Sequence, residues 1–176
     1  LTSVEAISLT AGTGTNRLTA TAIVDLTVTN ASATAASVVT LGAAIGQSFT
    51  TSGAGAADVT LGAVQQTVTG STAADTFRAT PALILGSSFA GGGTTGVNDS
   101  LILTGASTTN AFTSATATVG AAGTGTTNIS GLEIITLGGA TNTLTITNDQ
   151  ALTINGGTAV TSVTGTAGVG VITIAG

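Results

Sequence analysis

The chain reads as an all-β protein, a parallel β-helix or β-roll solenoid, and three observations lead there. Apolar residues alternate with Thr or Ser in short runs, the period-two pattern of a strand with one face buried. The connectors are small and polar, with 26 Gly and one Pro among 176 residues. One strand signature also occurs twice, as Val4-Glu5-Ala-Ile7-Ser-Leu9 and as Leu132-Glu133-Ile-Ile135-Thr-Leu137, 128 positions apart. Reuse of a segment at such a distance marks a slice of a longer repetitive array. An antiparallel β-sandwich is the alternative. Sandwiches fill their middle with aromatics and turn on Asn-Gly pairs, whereas aromatics are 2% of this chain and Asn155-Gly156 is its one such pair.

The predicted strands follow in order. Val4–Leu9, Leu18–Ile23, Leu26–Val28, Val38–Leu41, Val59–Leu61 and the run around Val68 alternate cleanly. Leu83–Leu85, Leu101–Leu103, Leu132–Leu137, Leu144–Ile146, Leu152–Ile154, Val160–Val163 and Val171–Ile174 continue the pattern. Between them lie connectors such as Ala11-Gly-Thr-Gly-Thr-Asn16 and Gly138-Gly-Ala-Thr-Asn142, which permit tight corners. No window carries a 3.6-residue apolar stripe, so helix content is expected to be close to nil. The pattern loosens over 86–128. The expected organisation is therefore a solenoid block at 1–85, a loop-rich segment at 86–128 continuous with the stack, and a second block at 129–176, all one domain.

Composition narrows the function. Ala, Val, Ile and Leu supply the apolar content, which suits thin stacked layers better than a wide core. Arg17 and Arg78 are the two cations against seven carboxylates, for a net charge of −5. That excludes a nucleic-acid binder, which needs clustered Lys and Arg, and argues against attraction to anionic lipid. No run of about 18 apolar residues exists, so no membrane insertion is expected. Cys, Met, Trp, Tyr and His are absent, which removes disulfides and the usual zinc, haem and iron–sulfur ligands. A cysteine-free, lysine-free, acidic and Thr-rich chain fits an extracellular or cell-surface protein. It begins at Leu1 with no signal stretch, as expected of a segment cut from a larger or processed protein.

Few residues offer chemistry. Triads and dyads that need His or Cys are unavailable. A carboxylate pair could hydrolyse a glycosidic bond, but sugar-gripping aromatics and basic residues are missing, so no enzyme activity is expected. Polysaccharide lysis or hydrolysis is only a remote alternative. Gly53-Ala-Gly-Ala-Ala-Asp58 and Gly70-Ser-Thr-Ala-Ala-Asp75 share their framing at a separation of 17. Asp75-Thr-Phe77 and Asp99-Ser-Leu101 both place a hydroxyl and then an apolar residue after the acid. Asx-turn formation at strand entries accounts for such aspartates equally well. Glu5 and Glu133 are expected to face solvent or to bond a neighbouring coil's backbone. Phe49, Phe77, Phe89 and Phe112 are read as core fillers or stack caps.

These aspartate stretches resemble degenerate copies of the RTX calcium nonapeptide. More loosely, the Glu5 and Glu133 strands and Ala74-Asp75-Thr-Phe77 make the chain similar to β-helical regions of bacterial surface-layer proteins and RTX-type secreted adhesins. The resemblance implies calcium (Ca2+) ligation by Asp58, Asp75 and Asp99, secretion, and assembly into an external coat or fibre. Departures are plain: Ser71 and Ala73 replace two glycines, and Thr60 stands where the family has an apolar residue. The expected function is thus a structural protein of an extracellular assembly, with copies of itself as partners and cell-surface polysaccharide as a further one. The alternative is an adhesin-type module binding glycan or ice through rows such as Thr19-Ala-Thr21, Thr27-Val-Thr29 and Thr143-Leu-Thr145-Ile-Thr147.

Overall fold

A computed structural model describes residues 4–10, 12–93, 97–104, 110–114, 127–138, 142–147, 151–156, 160–166 and 171–175. Strands, and no helix, are found among these described residues. In chain order they are β1 (Ala6–Leu9), β2 (Asn16–Thr19), β3 (Thr27–Asn30), β4 (Ser37–Thr40), β5 (Ser48–Thr51) and β6 (Ala57–Thr60). Next come β7 (Thr67–Thr69), β8 (Thr76–Ala79), β9 (Ser88–Ala90), β10 (Ser100–Leu103), β11 (Asn110–Ser114) and β12 (Thr127–Ser130). The last are β13 (Ile134–Leu137), β14 (Asn142–Thr147), β15 (Leu152–Asn155), β16 (Val160–Thr166) and β17 (Ile172–Ala175).

Two parallel sheets result. Sheet A runs β1-β3-β5-β7-β9-β12-β11-β14-β16, and sheet B runs β17-β15-β13-β10-β8-β6-β4-β2. Through β10, each coil gives one strand to each sheet. Ala6, Thr27, Ser48, Thr67 and Ser88 stand in one column, so a coil takes about 20 residues. The pairings are parallel, for example β4 with β6 and β8 with β10, which settles the architecture as a solenoid and sets aside the antiparallel sandwich. Beyond β10 the order in sheet A changes, with β12 beside β9 and β11 between β12 and β14.

The core is one side chain deep from each sheet. Val28, Phe49, Val68, Phe89 and Ile129 form the inward column of sheet A. Val39, Val59, Phe77, Leu101, Ile135 and Ile154 form that of sheet B. All are buried. Phenylalanines alternate with valine in sheet A up to Phe89, and across the core the Phe77 and Phe89 rings lie 6.0 Å apart at 40°. The three phenylalanines are core fillers as expected, and Phe112 lies on β11.

The corner leading into sheet A has its own column. Asp25, Gly46, Gln65 and Gly86 all have φ between 57° and 76°, and backbone bonds tie these corners coil to coil, from Asp25 N to Ile45 O, Gly46 N to Gln65 O and Gln65 N to Leu85 O at 3.1–3.3 Å. A left-handed residue at each turn aims the following one inward. Glycine adopts that conformation freely; Asp25 and Gln65 hold it at a cost.

Two expectations need correcting. Leu83–Leu85 is a turn and not a strand, and the strand it precedes is β9, around Phe89. Leu18–Ile23 is strand only to Thr19, where β2 ends before the corner. The two copies of the glutamate signature also fall in opposite sheets, β1 in A and β13 in B, so their spacing does not count whole coils.

Candidate functional site

Polar side chains are concentrated in inward columns at the two corners. At the entry to sheet B, Ala57 opens β6 and Asp75, Asp99 and Glu133 each stand one residue before β8, β10 and β13, in register with one another. Each acid reaches back to the coil before it. Ala57 N donates to Asp75 Oδ1 at 2.5 Å, Asp75 N to Asp99 Oδ1 at 2.8 Å, and Asp99 N to Glu133 Oε2 at 2.8 Å. Asp75 also accepts from its own turn, with Ser71 N at 2.5 Å and Ser71 Oγ at 3.3 Å. Asp75 and Asp99 are each 1% exposed. Burial raises the Asp75 pKa against the lowering effect of the Ala57 and Ser71 N–H groups. Asp99 is pushed up to about 6, by burial first, with repulsion from Asp75 and Glu133 adding to it.

Amides take over at the opposite corner. Gln47 Oε1 accepts from Gly42 N at 2.6 Å, while its Nε2 donates to Thr21 O and Ile23 O of the coil before, at 2.7 and 2.8 Å. Gln66 repeats the arrangement one coil on. Its Oε1 accepts from Gly62 N and Ala63 N, and its Nε2 donates to Gly42 O and Ala44 O at 2.8 and 2.9 Å. Ser87 and Thr127 follow in the column with shorter reaches, to Leu83 O and Ile84 O. Glycine is needed where the turns nest: a Cβ on Gly42 would stand 2.1 Å from Thr21 O. Near the start of the stack, buried Asn30 bonds Asn16 Nδ2, Ser32 N and Ala35 O, and so fixes the turn that follows β3.

The exteriors differ. On sheet A the outward positions form one column of Ala6, Thr27, Ser48, Thr67, Ser88 and Asn128. Ser8, Thr29, Thr50, Thr69, Ala90 and Ser130 form the other, and neither column carries a charge. Hydroxyls bond along the first, Ser48 Oγ to Thr27 Oγ1 at 3.3 Å. Sheet B instead carries Asp58 and Arg78, joined twice, with Arg78 Nε donating to Oδ1 at 2.8 Å and Nη2 to Oδ2 at 3.1 Å. At the β1 and β2 end, a cavity of about 470 Å³ is lined by Val4, Ile7, Leu18, Ile23 and Leu26 among others.

The three aspartates named from the sequence are thus divided. Asp75 and Asp99 share the inward column, but Asp58 sits opposite Thr76, one residue out of register with Asp75, and a one-residue offset turns a side chain to the other face. No group of three or more acidic, His or Cys residues suited to a metal ion occurs among the described residues. Glu133, which sequence reasoning placed in solvent or on a neighbouring coil's backbone, does bond that backbone; its Thr-free entry position beside Asp99 needed the strand register to be seen. Gln47 and Gln66 were missed, although both stand directly before a strand, after a Gly-containing turn. The chain matches no protein-family model, no curated protein and no solved structure.

Proposed function

We propose that the chain is a structural, non-catalytic module of an extracellular assembly (a surface layer, matrix or filament) formed by self-association of solenoid subunits. The observation that supports this best is the division between inside and outside. The inward carboxylates and amides are engaged in holding coil to coil, while sheet A repeats uncharged hydroxyls at the coil spacing of about 4.8 Å. A stiff rod with such a face can lie against a copy of itself without burying unpaired charge. Electron microscopy and light scattering of purified protein over a concentration series test the reading. Ordered fibres or sheets are expected; a monodisperse monomer throughout would contradict it.

A second reading rests on the same hydroxyl grid. Rows such as Thr27-Val-Thr29 and Ser48-Phe-Thr50 lie side by side in register and could contact an uncharged hydroxyl lattice, glycan or ice. Thermal hysteresis and a glycan array, run with wild type and with Thr50→Lys, separate this from self-assembly.

A further inference from the structure

We propose that a ridge of aliphatic side chains along the corner leading into sheet A is the contact through which a second copy of this chain docks, pairing the two stacks about a two-fold axis. Val24, Ile45, Val64 and Leu85 each stand three residues before a strand, β3, β5, β7 or β9. Each is followed by the left-handed corner residue, Asp25, Gly46, Gln65 or Gly86. Backbone bonds from Asp25 N to Ile45 O, Gly46 N to Gln65 O and Gln65 N to Leu85 O hold these corners one above another. Val24, Ile45 and Leu85 are 60%, 48% and 40% exposed, and Val64 is partly buried. Exposed aliphatics are ordinary when scattered singly, but four at one corner position of consecutive coils make a patch. The outward columns of sheet A, into which these corners lead, hold only Ala, Ser, Thr and Asn over the same coils. Aliphatics are therefore not what this chain places outside by default.

The proposal rests on the self-association reading and deepens it by naming a surface and a geometry. Repeat selects a second copy as the occupant. The ridge recurs once per coil, at the ladder spacing of about 4.8 Å, and another stack of the same coils carries the same repeat. A two-fold contact sets Val24 against the partner's Leu85 and Ile45 against the partner's Val64, a smaller side chain meeting a larger one each time. Charge selects the orientation. Residues 20–26, 41–47, 61–66 and 80–87 contain a single charged residue, Asp25. The two-fold axis places it opposite Gly86, whereas a parallel arrangement sets Asp25 against its own copy, like charge to like charge. Four side chains per copy bury far less than the roughly 1,200 Å² of a stable specific interface. One such contact is therefore weak and concentration-dependent, as suits an assembly built by repeating it.

Sedimentation equilibrium of wild type, Ile45→Lys and Thr40→Lys over a concentration series is the test. Thr40 is exposed on the outer face of sheet B and serves as the control. Wild type is expected to associate as concentration rises. Ile45→Lys should weaken that association by roughly tenfold or more, and Thr40→Lys by less than about twofold. Association untouched by Ile45→Lys would overturn the ridge and leave the self-association reading standing; a wild type that stays monomeric throughout removes both. The chain has no cysteine, so an oxidised mixture of Ile45→Cys and Val64→Cys proteins reads the geometry independently. Mixed disulfide dimers are expected, whereas Ile45→Cys linked chiefly to itself contradicts the two-fold pairing. Flotation with phosphatidylcholine vesicles forms the last arm. Wild type is expected to stay unbound, and binding that is lost in Ile45→Lys would assign the ridge to a lipid surface and reject the second copy.

Discussion

Gln66 satisfies four backbone groups from two coils: the N–H groups of Gly62 and Ala63 in its own turn and the carbonyls of Gly42 and Ala44 in the turn before. A nested corner leaves those groups no water, so the side chain does there what the ladder does in the strands. Gln66→Leu keeps the volume and removes all four bonds; it is expected to cost about 2–4 kcal/mol in denaturant unfolding, because orphaned buried polar groups carry their full desolvation penalty. Gln65, next to it, pays for the corner in conformation, at φ 57°. Gln65→Gly is expected to stabilise by up to about 1 kcal/mol, since Gly46 and Gly86 hold the same position without a Cβ. By contrast, the Arg78–Asp58 pair is about 40% exposed on both sides. Arg78→Ala should cost under about 1 kcal/mol and less in high salt.

At the scale of the strand, alternation was legible wherever two large apolar residues flanked one Thr. Val38–Leu41 and Val59–Leu61 are of this kind, and β4 and β6 cover most of both. Several strands with a single large apolar residue were missed: β5 has only Phe49, β9 only Phe89, and β8 only Phe77 beside Arg78, the rest being hydroxyls and alanines. One inward residue is enough in so thin a core because the facing sheet supplies the rest of the contact. Leu83–Leu85 misled for the opposite reason: it has three aliphatics, but in a turn where Ile84 is buried and Leu85 stands 40% exposed. The acid column was half legible. Asp75 and Asp99 were found by their framing, but the 17-residue spacing of Asp58 and Asp75 hid the one-residue offset that sends Asp58 outward. Phe77→Ala tests the element directly. It removes the ring shared with Phe89 across the core and should cost about 3–5 kcal/mol.

For the molecule as a whole, parallel pairing within two sheets means that a coil touches mainly its two neighbours, and order propagates along the stack through ladders and corner side chains together. Because Asp58 lies one residue out of register with Asp75 and is held by Arg78, a chelator is expected to leave the circular dichroism and melting temperature at pH 7.5 unchanged; loss of β-structure on chelation and its return with calcium would support calcium ligation. What governs the fold, on this account, is that the corners are locked by inward acids and amides. Native-state hydrogen exchange reads those locks directly. The amides of Ala57, Ser71, Asp75, Asp99 and Gly62, all bonded to side chains outside the strand ladders, should exchange as slowly as core strand amides such as those of Val59 and Phe77. Fast exchange at these five positions, with slow exchange in the strands, would contradict it.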